Sequence, residues 1–228
     1  VRRGGGLCVA AHPHAPYVSG TFRYPYRGFD AVEVWNGPWR SDLSWQADNE
    51  AALTEWGRSL APDVRRGRWR PAVGNSDAHL AGQIGVPHTV VLADELGAGA
   101  VLAGIRAGRS RLAASDGVEL AFSVTCGDRT AGIGEALVTD AAVATGEAAM
   151  TGDGPAVVRA EVRGVPFGTV VLHTGKGRAH TTSLPGDGAG TVEWPMRPAE
   201  AAESVLVRVE VRYADGRMAA LTNSIVLH

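Results

Sequence analysis

In the first half of the chain, short apolar runs broken by glycine and proline alternate with stretches of helical spacing. Leu7-Cys8-Val9-Ala10-Ala11 is a continuous apolar run, the pattern of a strand buried on both faces in a parallel sheet. It stops at His12-Pro13-His14, and proline pushes the residue before it towards extended geometry, so His12 sits at the C-terminal lip of that strand. Asp30-Ala31-Val32-Glu33-Val34-Trp35-Asn36 gives a second strand, closed by Gly37-Pro38. Ala52, Leu53, Trp56 and Leu60 then make one apolar stripe of a helix, with Asp48 as its N-cap and Pro62 as its stop. Pro71-Ala72-Val73-Gly74-Asn75-Ser76-Asp77-Ala78-His79 begins as an apolar strand and ends in polar residues. Thr89–Ala93 reads as a further strand. Leu96–Ala107 reads as a helix with Val101, Leu102 and Ile105 on one face and Gly108 as its stop. Strand alternating with helix in this way predicts a parallel α/β architecture over residues 1–114.

The pattern changes near Ser115. Helical periodicity gives way to short alternating strands between Gly, Pro and Asp turns: Val118–Cys126, Ala156–Arg163, Thr169–His173, Thr191–Trp194, Ser204–Tyr213 and Met218–Val226. Val205, Val207, Val209 and Val211 alternate with Leu206, Arg208, Glu210 and Arg212, which predicts one buried and one mostly wet face. Strands of this kind over residues 115–228 predict an antiparallel, Ig-like β-sandwich. His173, His180 and His228 are scattered through it without ligand spacing, so this part is expected to contribute shape and stability rather than chemistry.

Composition narrows the picture in a few places. A length of 228 residues allows one large domain or two ordinary ones. The net charge of −2 gives no reason to expect nucleic acid or an acidic membrane surface as partner, and no stretch is apolar for long enough to span a bilayer. Lys176 is the single lysine among many arginines, alanines and glycines, a bias like that of a GC-rich bacterial genome. Cys8 and Cys126 fall in apolar strands of the two parts and read as buried free thiols. The chain opens on Val1-Arg2-Arg3-Gly4 with no export signal, which leaves localisation open between cytoplasm and export.

Chemistry concentrates at the ends of the early strands. If the strand that starts at Pro71 runs on through His79, Asp77 and His79 share a face, and a carboxylate beside an imidazole is a ready pair of ligands for zinc or manganese. An exposed turn that happens to contain Asp and His is the alternative. Glu33 is unusual inside an apolar strand and needs a partner. It either props a neighbouring metal ligand or pairs with an arginine of the outer helix layer. Residues 15–28, with Tyr17, Phe22, Tyr24 and Tyr26, read as an aromatic loop shaping a pocket, and Arg65-Arg66-Gly67-Arg68-Trp69-Arg70 reads as a solvated basic loop. There is no nucleophile elbow with its triad, no phosphate-cradling loop followed by lysine, and no dinucleotide fingerprint.

Three segments together carry a resemblance. Gly4-Gly5-Gly6-Leu7-Cys8-Val9-Ala10-Ala11-His12-Pro13, Phe29-Asp30-Ala31-Val32-Glu33-Val34-Trp35-Asn36-Gly37 and Gly74-Asn75-Ser76-Asp77-Ala78-His79 resemble the later motifs of the PHP superfamily of polymerase and histidinol phosphatase domains. With Ala103–Ser110 and the terminal Ala220-Leu221-Thr222-Asn223-Ser224-Ile225, they look like its carbaryl-hydrolase-like branch, in which a β-sandwich follows the barrel. The resemblance implies the C-terminal half of a distorted β/α barrel followed by that sandwich. It also implies a cluster of two or three divalent ions (zinc, manganese or iron) in the complete protein. His12, Asp77 and His79 would be metal ligands, with Asp77 and His79 at the catalytic centre. Trp35, Asn36, Asn75, Ser76 and His14 would lie on the substrate side, with Glu33 behind the ligands. The family's first His-x-His, its Asp-His motif and its bridging Glu have no counterpart here, so the expectation is the C-terminal part of a longer hydrolase that lacks its N-terminal barrel half.

The implied reaction is hydrolysis by metal-activated water of a small phosphoester or a carboxyl-type ester or carbamate. The alternative is a non-catalytic module whose sandwich recognises a glycan or a protein.

Overall fold

The computed structural model describes residues 1–15, 20–40, 46–138 and 155–228. Its first strands, β1 (Val9–Ala10), β2 (Ala31–Asn36) and β3 (Ala72–Asn75), form a parallel sheet in the order β1-β2-β3, and helix α1 (Asn49–Arg65) connects the last two. All six residues of β2 are buried, as its apolar run with Val32, Val34 and Trp35 requires in the middle of a sheet. β1 departs from expectation. It is two residues long, Val9 is 37% exposed and Cys8 is half-buried, because β1 pairs with β2 alone and its outer edge has no strand beside it among the described residues. α1 starts where Asp48 accepts a hydrogen bond from Ala51 N–H at 3.0 Å. It runs past Pro62 to Arg65. Proline removes one rung, while Leu60, Ala61 and Val64 keep the last turns packed on the core.

The next strands change direction. β4 (His88–Val91), helix α2 (Ala98–Arg106) and β5 (Ser110–Ala113) form an antiparallel pair of strands with the helix between them, so strand-helix-strand here is not a parallel crossover. After these come β6 (Glu119–Cys126), β7 (Arg129–Gly132), β8 (Ala136–Leu137), β9 (Ala156–Arg163), β10 (Thr169–Thr174), β11 (Gly177–Ser183) and β12 (Gly190–Met196). The short helix α3 (Pro198–Ser204), β13 (Leu206–Arg212), β14 (Met218–Thr222) and β15 (Ile225–Leu227) complete the described elements. A four-stranded antiparallel sheet has the order β12-β9-β6-β7. An eight-stranded sheet has the path β11-β10-β13-β14-β5-β4, with β15 beside β13 and β8. β5 pairs with β14, so this sheet extends across the boundary expected at residue 115.

Two cores share that eight-stranded sheet as a wall. One face, with Val170, Leu172, Val207, Val209 and Val211, packs on Leu120, Phe122, Val124, Val158, Val162 and Trp194 of the four-stranded sheet. The other face gives Leu112, Leu206, Met218 and Leu221 to a second core with Val32, Val34, Trp35, Leu53, Trp56 and Leu60. β13 is therefore buried on both sides. Its second face was expected to be wet, yet Leu206, Arg208 and Glu210 lie under α1. The polar members pair with one another: Arg208 Nη1 donates to Glu210 at 2.7 Å, and Arg212 Nη1 donates to Glu50 of α1 at 2.7 Å. β3 meets the same sheet through a side chain. The Thr89 hydroxyl accepts from Gly74 N–H at 2.9 Å and donates to Gly74 C=O at 2.6 Å.

Candidate functional site

The parallel strands end together, and Glu33 links their ends. It is 2% exposed. Glu33 Oε2 accepts the backbone N–H of His12 at 2.6 Å and Asn36 Nδ2 at 3.4 Å, and Oε1 accepts Asn75 Nδ2. One carboxylate thus ties the ends of β1, β2 and β3. Among the described residues Glu33 forms no ion pair with an arginine, and its partners are the His12 backbone, Asn36 and Asn75 at the strand ends. Burial pushes its carboxyl above the ordinary carboxylate value, and the His12 N–H and Asn36 only partly offset this, while Asp77 repels it further. A buried carboxylate with a second carboxylate near it is a place where positive charge is stabilised.

Asp77 and His79 lie beyond the strand. β3 ends at Asn75, and Asp77 takes the left-handed region at φ 45°, so the two side chains are not set by strand alternation. The turn is closed by Asn75 Oδ1, which accepts Asp77 N–H at 2.8 Å, a local bond typical of asparagine. His79 is exposed, with Nδ1 2.7 Å from Asp77 C=O and its N–H on Gln83 Oε1 at 2.9 Å. His12 is exposed at φ 28°, beside Glu33 through its backbone. Ser76 is half-buried. The His12 backbone and the Asp77 carboxylate therefore both lie near Glu33, whereas His79 is held by its own turn.

The remaining expected residues divide. Asn36 belongs to the strand-end group, fixed by Asn49, whose Oδ1 accepts Asn36 N–H at 2.9 Å and whose Nδ2 donates to Asn36 C=O at 3.2 Å. Trp35 is buried. It is a core residue packed edge-on against Trp39 at 5.1 Å, with Nε1–H on Gly37 C=O at 3.0 Å, because Asn36 and Trp35 occupy opposite faces of β2. His14 pairs with Glu55 of α1, which also accepts the Tyr26 hydroxyl at 3.0 Å. Burial and Glu55 hold the Tyr26 phenol above its ordinary value. In the aromatic loop Phe22 packs against Tyr24, Tyr26 and Phe29, and Tyr17 lies outside the described residues. Arg65, Arg66 and Arg68 are exposed as expected of a solvated loop, but Arg70 is bound to Asp63 at 2.5 Å.

Sequence reasoning missed Asn49, which is buried in the first turn of α1 and holds three successive backbone segments through Asn36, Pro38 and Trp39. An asparagine directly after the Asp48 N-cap is the signal that could have pointed to it.

Histidine nitrogen and carboxylate oxygen are the donor types of zinc, manganese or iron, and His12, Asp77 and His79 fit such ions chemically. Their placement fits less fully: among the described residues no group of three or more His, Cys, Asp or Glu side chains is gathered to hold a metal ion. Among the described residues no helix is long and apolar enough to cross a membrane.

A family model described as PHP-associated matches residues 60–110. That span runs from the last turns of α1 to the start of β5 and contains Asn75, Asp77 and His79. It supports a relation to the PHP superfamily. No curated protein and no solved structure matches the chain.

Proposed function

We propose that the chain is the later part of a PHP-type metal-dependent hydrolase of the carbaryl-hydrolase-like branch, with barrel strands followed by a β-sandwich. Its substrates are small phosphoesters or carboxyl-type esters and carbamates. The observation that carries this reading is the Glu33 carboxylate, buried at the common C-terminal ends of three parallel strands, bonded to the His12 backbone and with Asp77 near it. In open α/β architectures ligands bind at those ends. His12, Asp77 and His79 would hold a zinc, manganese or iron ion, and further ligands on strands preceding these would complete the cluster. A bound ion supplies a water whose pKa falls from about 15.7 to about 7 and polarises the scissile oxygen.

The chain's own residues prepare that site. Glu33 holds the His12 backbone and the Asn75 amide in place, so the ligand loop after β3 starts from a fixed point. Asn36 is held by Asn49 on its backbone side and turns its amide to Glu33. Asn75 closes the Asp77 turn with its other amide atom.

The test is made in the complete protein by elemental analysis for zinc, manganese and iron together with hydrolysis of aryl phosphates and aryl esters. His79→Ala lowers metal content and turnover together, since one fewer ligand weakens binding and the hydroxide it generates. A metal-free complete protein that still turns over, or a His79→Ala variant with full metal and full turnover, overturns the reading.

A further inference from the structure

Helix α1 and the β10–β11 hairpin face each other across a cleft of about 590 Å³, floored by β13. None of His12, Glu33, Asp77 or His79 lines it. Five cationic side chains do, Arg58, Lys176, Arg178, Arg208 and Arg212, against the two carboxylates Glu50 and Glu210. Both carboxylates are already engaged: Glu50 with Arg212, and Glu210 with Arg208 at 2.7 Å and Arg212 at 3.2 Å. Lys176 is paired with Glu203. Arg58 and Arg178 are exposed and form no ion pair among the described residues, which leaves the cleft positive.

Arg208 is the central group. It is 6% exposed, its guanidinium carbon lies 5.3 Å from the centre of the Trp56 ring, and Nη1 is committed to Glu210. Nη2 has no protein partner among the described residues. Above it sits Gly57, a glycine in the middle of α1, where it weakens the helix by about 1 kcal/mol relative to alanine. A Cβ at position 57 would come within 3.2 Å of Arg208 Nη2. The glycine therefore keeps a buried, charged donor uncovered.

We propose that this cleft binds a small organic oxyanion, its carboxylate or phosphate accepting from Arg208 Nη2 with Arg58 and Arg178 at the mouth. Guanidinium groups suit such acceptors through paired, charge-assisted hydrogen bonds. The volume is that of a small-molecule pocket rather than of a bare ion, and Leu53, Leu60 and Leu206 give the ligand's body apolar contact. This inference is independent of the hydrolase reading.

The experiment is isothermal titration of the purified chain, stripped of metal with a chelator and desalted, with inorganic phosphate and separately with succinate. Saturable binding of at least one is expected. Binding of phosphate alone assigns a phosphoryl ligand, and binding of succinate alone a carboxylate. The Arg58→Ala/Arg178→Ala double variant, altered only at exposed positions, weakens it about tenfold. Gly57→Leu, whose side chain covers Nη2, abolishes it, with the melting temperature read alongside to show that the variant is folded. Absence of saturable binding of both anions up to about 10 mM overturns the proposal. So does unchanged affinity in the double variant or in a folded Gly57→Leu chain.

Discussion

The side-chain amide of Asn223 completes the backbone of Ala72, 151 residues away: Oδ1 accepts the Ala72 N–H at 2.7 Å and Nδ2 donates to the Ala72 C=O at 3.0 Å. The same Nδ2 reaches Ser110 C=O at 3.1 Å. Asn223 stands in the break between β14 and β15, so one buried side chain fastens the parallel sheet to the eight-stranded one. Together with Thr89 on Gly74, it seals the edge of β3 that no strand covers among the described residues.

Asn223→Ala is expected to destabilise the protein by about 3 kcal/mol, because two buried backbone groups of Ala72 lose their partners at about 1–3 kcal/mol each. The urea unfolding midpoint, at unchanged slope, measures this. A midpoint equal to wild type would remove the amide from its structural role.

Gly74→Ala is expected to cost about 1–3 kcal/mol through overpacking. A Cβ there would lie 2.8 Å from Leu112 Cδ2 and 3.0 Å from Trp35 Cβ, both in the second core. The variant also displaces Asn75, so metal uptake in the complete protein should fall with stability. Thermal melting and elemental analysis report the two effects, and wild-type values for both would show that the close approach is immaterial.

Acid should destabilise the fold through β13. Burial, reinforced by Arg208 and Arg178 and opposed by Glu210, holds the His173 imidazole below its ordinary 6.5. Burial raises the Glu210 carboxyl, but His173 and Arg208 outweigh it and leave the group well below its ordinary 4.5. Both groups take up protons less readily folded than unfolded, so their stability is complete above the unfolded values and is lost as pH falls. The loss begins below 6.5 for His173 and steepens below 4.5 for Glu210. Melting temperature measured from about pH 7 to about pH 3 should fall accordingly, and Glu210→Gln should flatten the lower part of the curve. Parallel curves for the two proteins would assign the acid sensitivity to other groups.

The 228-residue chain by itself is expected to bind divalent metal below stoichiometry and to show negligible turnover. His12, Asp77 and His79 cannot complete two or three ion sites between them, and among the described residues no group of three or more such ligands is gathered. Elemental analysis and aryl ester and phosphate assays on the purified chain decide this. Stoichiometric multinuclear metal with turnover would mean that other residues of the chain supply the ligands.

How far the sequence could be read depended on whether a feature was local. Ala156–Arg163 was legible to the residue, because strict alternation belongs to the strand itself. β11 was not, since Arg178 to Thr181 are exposed on both faces and leave no alternation to see. The Arg208–Glu210 face was misread for the opposite reason: charge normally marks a wet face, and only α1, folded over it, makes it buried. Charges of alternating sign between valines were the available hint of a ladder of ion pairs. At the candidate site, Glu33 was legible as an oddity in an apolar strand. The departure of Asp77 from strand geometry was not, because a positive φ at aspartate follows from the turn Asn75 closes. Direction was equally hidden for β4 and β5, since the pairing of β5 with β14 depends on residues far along the chain.

That distant pairing bears on how the protein is made. During synthesis the ribosome releases Val32, Trp56 and Ala72 long before it adds Leu206, Met218 and Leu221, the residues that close the second core over them. The parallel strands therefore leave the exit tunnel with one face bare and must wait, apolar and exposed to chaperones, until the wall arrives.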